Sequence, residues 1–370
     1  MALSRLGYYI EKIERPNLDL QYGIESVRGV SNTKQIQKTK ANLDGRTFEK
    51  FQILHRYEYV FNRRTTRNGE RIGLGFNNSD QIYIFTEDYV LFRIKKSKLK
   101  ELHPIYLYIF FNRDEFDRIV RYNSWGSATE FFNWDDMCDI EIVVPSMEVQ
   151  QKVVNVYLAM VANQKVYEKG LDDLKLTCDA YIENIREKQE SHKLVDFLEE
   201  TKEINTEKTV LFERGLNKFK GFVKPSAMSN NVDLSKRKVV RFNHFVYPSP
   251  HFGEQGTIGL FKEEACIMSQ MYTTFRVIDN RLNPDYLYLW FKRNEFMRYA
   301  FFAASDSVRD TFDFTKLCDY KIPVPSQTIQ KNIVEVYEAY EMRKKINENL
   351  KEQINDICPV LIKGSIDLNH

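Results

Sequence analysis

The sequence has no C-x-x-C pair, no Cys/His cluster at zinc spacing and no run of eighteen apolar residues. With only five cysteines and six histidines so dispersed, a structural zinc site is not expected. The longest aromatic-aliphatic stretch, "IYLYIFF" at 105–111, is far short of a bilayer span. The opening "MALSRLGYYIEKIERP" lacks the apolar core and small-residue cleavage site of a secretory leader, so the cytoplasm is the expected compartment. There is no G-x-x-x-x-G-K-[ST], and "GLG" at 73–75 lacks the third glycine and acidic partner of a dinucleotide fingerprint. His55, His103, His192, His244, His251 and His370 form no metal set or triad; His251, beside two prolines in a basic region, alone invites interest. "NPDY" at 283–286 imitates the N-P-P-Y of an amino-methyltransferase, but its internal counterpart is "HPIY" at 103–106. The shared element is therefore Pro-x-Tyr at a helix start. No catalytic residue, cofactor-binding residue or metal ligand is expected in this chain.

What the sequence does contain is itself, twice. "EIVVPSMEVQQKVVNVY" (141–157) and "KIPVPSQTIQKNIVEVY" (321–337) agree at eight of seventeen positions, 180 residues apart. "PIYLYIFFNRDEFDRIV" (104–120) meets "PDYLYLWFKRNEFMRYA" (284–300) at the same spacing, as do Cys138 with Cys318 and Cys178 with Cys358. These four thiols are expected to be buried. Upstream the offset drifts: "RIGLG" (71–75) answers "TIGLF" (257–261) at 186, and "LGYYIE" (6–11) answers "LVDFLE" (194–199) at 188. A repeat this long means two copies of one domain rather than a solenoid, and 370 residues suit at least two cores.

Each copy has two parts. The first mixes β-rich runs such as "QIYIFTEDYVLFRI" (81–94) with short helices; the second, after "VPS", is one long helix. Apolar residues recur every three or four positions, at Val153, Val156, Met160, Leu174 and onward, and at Ile333, Val336, Tyr340, Leu350 and Ile354. That is a coiled-coil seam, with Asn163 and Arg343 at matched polar positions and Pro359 expected to bend or end the second helix. Helices of about forty residues extend roughly 50–60 Å, longer than a small domain is wide, so each is expected to pack on the other. The fold class is therefore α+β: two similar globular domains joined by two long helices in an antiparallel, pseudo-two-fold coiled coil. The expected boundaries are a first domain at 1–145 and its helix at 146–190, then a second domain at 191–325 and its helix with tail at 326–370.

The net charge of +2 hides segregation. From Arg28 to Arg71 there are eleven basic residues against four acidic; from Lys218 to Arg241, seven against one. Both basic stretches lie in the globular part of their repeat, with Gly, Asn and Thr interspersed, which suits phosphate and base contact.

With these features the chain resembles the specificity subunits of type I restriction-modification systems over essentially its whole length. The resemblance rests on "VVPSMEVQQKVV" and "PVPSQTIQKNIV" with their helices, on "RGVSNTKQIQKTKANLDG", and on "YVFNRRTTRNGERIGLG". The loop "SWGSAT" (124–129) fits the family's Gly-Ser-Ala pattern, whereas its counterpart "ASDSVR" (304–309) does not, and the second copy lacks the "RGVSN" opening. The resemblance implies that each globular domain is a target-recognition domain reading a different half of a bipartite double-stranded DNA sequence. It implies that the helices separate the halves and dock two modification (methyltransferase) subunits, with restriction (translocase/nuclease) subunits as further partners. S-adenosylmethionine then belongs to the modification subunits, and ATP with magnesium to the restriction subunits.

Side chains with bidentate hydrogen-bonding groups are the natural readers of base edges. In the first domain the candidates are Arg63, Arg64, Thr65, Arg67, Asn68 and Arg71 in "NRRTTRNGER", with Ser127 and Thr129. In the second they are His251, Gln255, Ser307 and Arg309, with Lys224, Lys236, Arg237 and Lys238 as phosphate contacts. Two alternatives stay open at this point: a recognition fragment of a larger restriction or methyltransferase enzyme, and a coiled-coil scaffold without DNA binding.

Overall fold

Two passages of chain 180 residues apart fold onto the same hydrogen-bonding pattern, and the rest of the architecture follows from that duplication. The computed structural model describes residues 3–39, 41–64, 71–124, 130–218, 221–225, 233–250, 252, 256–304 and 311–367. It divides into one unit of Met1–Glu168 with Ile346–His370 and another of Lys169–Lys345.

In the first unit a four-stranded antiparallel sheet runs in the order Ile10–Ile13, Tyr89–Ile94, Tyr59–Asn62, Leu74–Phe76. Gln52–Leu54 pairs with Tyr83–Phe85 and Arg28–Val30 with Ile36–Lys38, while Ser4–Arg5 pairs with Glu141–Ile142 and so closes the domain on itself. Helices α1 (Pro104–Phe111), α2 (Asp114–Tyr122) and α3 (Trp134–Asp139) complete it. The second unit repeats the order: Leu198–Glu200, Tyr272–Val277, Phe245–Pro248, Gly259–Leu260. Ser191–Lys193 closes it against Lys321–Pro323, and its helices are α5 (Pro284–Phe291), α6 (Asn294–Ala304) and α7 (Phe314–Cys318). The long helices are α4 (Met147–Lys188) and α8 (Gln327–Asp367).

The cores are duplicated ring by ring. Tyr59 stacks on Phe92 with centroids 4.9 Å apart, and Phe245 stacks on Phe275 at 4.9 Å. Phe111 meets Phe116 at 4.8 Å, and Phe291 meets Phe296 at 4.7 Å. The sheet corrects one alignment. Val60 faces Gly75 and Val246 faces Gly259, so the equivalent glycines lie 184 apart and not at the 186 of "RIGLG" and "TIGLF". A Cβ at Gly75 would sit 2.6 Å from Ile36 Cγ1, and one at Gly259 2.8 Å from Leu216 Cδ1. In both domains the missing side chain lets a small hairpin cross the sheet.

The repeated "VPSxxxQ" is a clamp. Gln150 is fully buried; its Oε1 accepts from His103 N (2.8 Å), and its Nε2 donates to the carbonyls of Glu101 (2.8 Å) and Pro145 (2.7 Å). Gln330 does the same with Asn283 N (2.8 Å) and the carbonyls of Arg281 (2.6 Å) and Pro325 (2.7 Å). Each glutamine thus ties the first turn of a long helix to the N-terminus of α1 or α5. Pro104 and Pro284 occupy the first turn there, where a missing N–H costs nothing. His103 Nδ1 caps Ile105 N at 3.1 Å, and Asn283 Oδ1 caps Asp285 N at 2.8 Å. The amide of "NPDY" is a helix cap.

Along α4 the residues Gln150, Tyr157, Gln164, Leu171, Cys178 and Ile185 are all buried, a seven-residue period. Within the first unit Tyr157 lies by Cys358 and Gln164 by Asn347, so the two helices run antiparallel. Val153 and Ile333 are buried, and Met160, Leu174, Val336, Tyr340, Leu350 and Ile354 are partly covered. Val156 is not: it is 49% exposed, because Val153, Val154 and Tyr157 fill the buried stripe. Asn163 and Arg343 are exposed too; the polar pair in the seam lies one residue on in the first helix and four in the second, where Gln164 Nε2 donates to Asn347 Oδ1 at 2.9 Å. Nor does Pro359 end α8, which continues to Asp367. Cys178, Cys318 and Cys358 are buried and Cys138 is half-buried. Burial pushes the Cys358 thiol up to about 12 and that of Cys318 to about 11, leaving neither reactive.

Candidate nucleic-acid interface

In each domain, described residues close in sequence to two candidate segments are hydrogen-bonded to each other. In the first, Arg64 forms an antiparallel bridge with Phe131, Phe132 N donates to Arg63 O (2.9 Å), and the Arg63 guanidinium lies over the Phe131 ring, 5.8 Å from its centroid. Arg64 and Phe131 thus lie side by side, next in sequence to the candidate residues at 65–68 and close to 127 and 129. In the second, Phe312 N donates to Ser249 O (3.0 Å) and Ser249 Oγ donates back to Phe312 O (2.9 Å), at the bases of 251–255 and 305–310. Phe132 and Phe312 are both fully buried and stand 180 apart, so the anchor belongs to the repeat.

Of the candidate side chains, Thr65, Arg67, Asn68, Ser127, Thr129, His251, Gln255, Ser307 and Arg309 lie outside the described residues. Arg63 is exposed. Arg64 reaches Asp88 (3.4 Å) and Arg71 reaches Asp114 (3.2 Å), both in solvent-exposed pairs, which are weak enough to exchange for a phosphate. Lys224 and Lys236 are exposed. Arg237 and Lys238 are tied into the domain instead. Arg237 pairs with Glu213 at 2.8 Å with four-fifths of its side chain covered, and Lys238 Nζ donates to Tyr272 O at 2.7 Å. Burial holds Lys238 below the usual lysine range. These two brace the strand Lys238–Arg241.

The basic surplus of the first domain is likewise part structure, part surface. Lys34 and Asp117 form an ion pair in which both side chains are at most 5% exposed. Asp117 Oδ1 also accepts from Ile72 N (3.3 Å), and Tyr108 Oη donates to Lys34 O (2.8 Å). The pair pins the "RGVSNTK" hairpin to α2; the position 180 beyond Asp117 is Met297, so the second domain has no such pair. Among the described residues no group of His, Cys, Asp or Glu is arranged to hold a metal ion, and no helix is long and apolar enough to cross a membrane.

Residues 188–356 match the family model described as the type I restriction modification DNA specificity domain. Among solved structures the chain is similar to the S subunit of a type I restriction-modification system from M. genitalium. That match has TM-score 0.61 and 11% identity, covering 98% of this chain and 95% of that one. A chain from a study of complex assembly and conformational transition of the type I R-M system gives TM-score 0.49 at 15% identity, covering 98% of each chain. The HsdS subunit from Thermoanaerobacter tengcongensis gives 0.38 at 14%, covering 98% of this chain and 96% of that one. No curated protein sequence matches the chain.

Residues 188–356 thus match a DNA specificity domain, and the chain shares the fold of the M. genitalium S subunit. The first domain repeats the strand order of the matched second one.

Proposed function

We propose that the chain reads a bipartite duplex sequence, the first globular domain recognising one half-site and the second the other, with α4 and α8 setting the spacer. The observation that supports this is the repeated anchor, Phe132 N on Arg63 O in the first domain and Phe312 N on Ser249 O in the second, each joining residues next in sequence to two candidate stretches. The chain itself supplies recognition and no chemistry. S-adenosylmethionine is held by two modification subunits, and ATP and magnesium by restriction subunits, in the cytoplasm. Val156, Val166, Leu176, Met342 and Val360, each at least 49% exposed on the long helices, support docking of the modification subunits there.

The lone chain, incubated with duplex DNA, S-adenosylmethionine and magnesium, is expected to bind with strong salt dependence and to methylate and cut nothing. Methyl transfer by the purified chain would return it to the enzyme class, and salt-independent or absent DNA binding would leave a scaffold. Arg63→Ala or Arg67→Ala is expected to weaken target binding by about 1–3 kcal/mol where that residue makes a bidentate base contact. Lys236→Ala should weaken target and random DNA alike and lower the salt slope by about one. Equal losses on both DNAs for the two arginine variants would reassign those residues to the backbone.

A further inference from the structure

One helix position in each domain touches the residue that comes next in sequence after a candidate reader. In the first domain it is Asp117 of α2, whose Oδ1 accepts from Ile72 N at 3.3 Å. In the second it is Met297 of α6, 180 residues on, whose methyl group rests on Gly256: a Cβ there would lie 2.6 Å from Met297 Cε. Ile72 and Gly256 stand 184 apart, the offset of Gly75 and Gly259 in the strands that follow them. The same helix position thus meets the same point of the chain in both copies, once by a hydrogen bond and once by packing. Ile72 follows Arg71, and Gly256 follows Gln255.

Stability does not call for the polar version. Asp117 is paired with Lys34, both side chains at most 5% exposed. Burial pulls the Lys34 ammonium below the usual lysine range and pushes the Asp117 carboxyl above the usual carboxylate range. Such a pair often gives a fold no more stability than an apolar pair of similar volume. What it adds is direction: Asp117 aims one oxygen at Lys34 Nζ and the other at Ile72 N. Lys34 itself is held at φ +59°, a left-handed conformation uncommon for lysine, with its carbonyl bonded by Tyr108 Oη at 2.8 Å. Backbone of this kind persists where its surroundings over-determine it. Gly256 lies in the same region at φ +43°, and the Met297 methyl leaves no room there for a side chain. Arg71 stands exposed beside the first clamp, its guanidinium 3.2 Å from Asp114, one turn before Asp117 on α2.

On the footing that the domains read DNA, we propose that Asp117 and Met297 are positioning residues for specificity. Each fixes one end of its own domain's reading stretch, and so decides which base edges that stretch meets, without touching DNA itself. The test uses the full chain assembled with its modification subunits, and measures discrimination: affinity for the target duplex over affinity for a duplex changed in one half-site. Lys34→Met with Asp117→Asn keeps an oxygen for Ile72 N, and should stay within twofold of the parent at both half-sites. Lys34→Met with Asp117→Leu removes that oxygen, and should lower discrimination at the first half-site about tenfold while leaving the second within twofold. Met297→Ala should do the reverse. Salt slopes should match the parent throughout, since no phosphate contact is lost. Parental discrimination at the first half-site in the leucine variant, or a loss at both half-sites, would overturn the positioning role and leave DNA reading standing. Failure of the leucine variant to fold and assemble would make the pair a structural support, and would overturn it equally, because an apolar replacement should preserve the fold. A parent assembly that binds target and altered duplexes alike would remove the reading itself and this role with it.

Discussion

Gln330→Leu is expected to destabilise the second unit by about 2–4 kcal/mol, the largest effect of any single substitution considered, with Gln150→Leu doing the same to the first. Leucine keeps roughly the volume but leaves Asn283 N and the carbonyls of Arg281 and Pro325 without the amide that now serves all three. The site is sealed, with Gln330 and Gln150 both fully buried, so water cannot replace the lost partner. An unmet buried donor or acceptor costs about 1–3 kcal/mol, partly relieved by local adjustment. Gln→Glu should be no milder, because it sets a second acceptor against two carbonyls. The check is denaturant unfolding of the parent and each variant; an unchanged midpoint for both leucine variants would mean that the clamp does not hold helix to domain.

A seven-residue insertion in each long helix, near Gly170 and Leu350, is expected to lengthen the non-specific spacer of the recognised sequence by about 3 bp. Seven residues add roughly 10 Å at 1.5 Å each, against about 3.4 Å per base pair. The insertion preserves packing because the buried positions of α4, from Gln150 through Ile185, recur every seven residues. DNA twist and bend absorb part of the change, so the shift is read as a direction with an approximate size. Two extra residues in one helix rotate everything beyond them by roughly 200°. They turn the buried stripe outward, and loss of assembly with the modification subunits is expected. An unchanged spacer in the heptad variant with assembly intact would show that the helices are not the ruler.

How much of this was legible beforehand depended on how far each residue's partner lies along the chain. The repeat at strict 180 spacing exposed Gln150 with Gln330, Pro104 with Pro284 and Phe132 with Phe312, and the structure uses each pair identically. The seam's seven-residue period was legible; its polar pair was not. Its polar pair fell on Asn163 and Arg343 instead of Gln164 and Asn347, because a 42-residue helix that packs on a globular domain and on a partner helix carries two overlapping apolar stripes. The two-residue slip at Gly75 has a similar origin: a shift of two in a strand keeps the same face inward, so alternation cannot detect it. Lys34, Arg237 and Lys238 looked like surface charge because Asp117, Glu213 and the Tyr272 carbonyl are 83, 24 and 34 residues away.

The most direct test of the central claim is the methylated motif in genomes of cells carrying this chain with its modification subunit, before and after exchange of one domain for that of another specificity subunit. The parent is expected to give one bipartite motif. Exchange of residues 1–145 should alter one half only, and exchange of 200–325 the other half only, with the spacer constant. A change in both halves from either exchange would contradict two independent readers on one pair of helices.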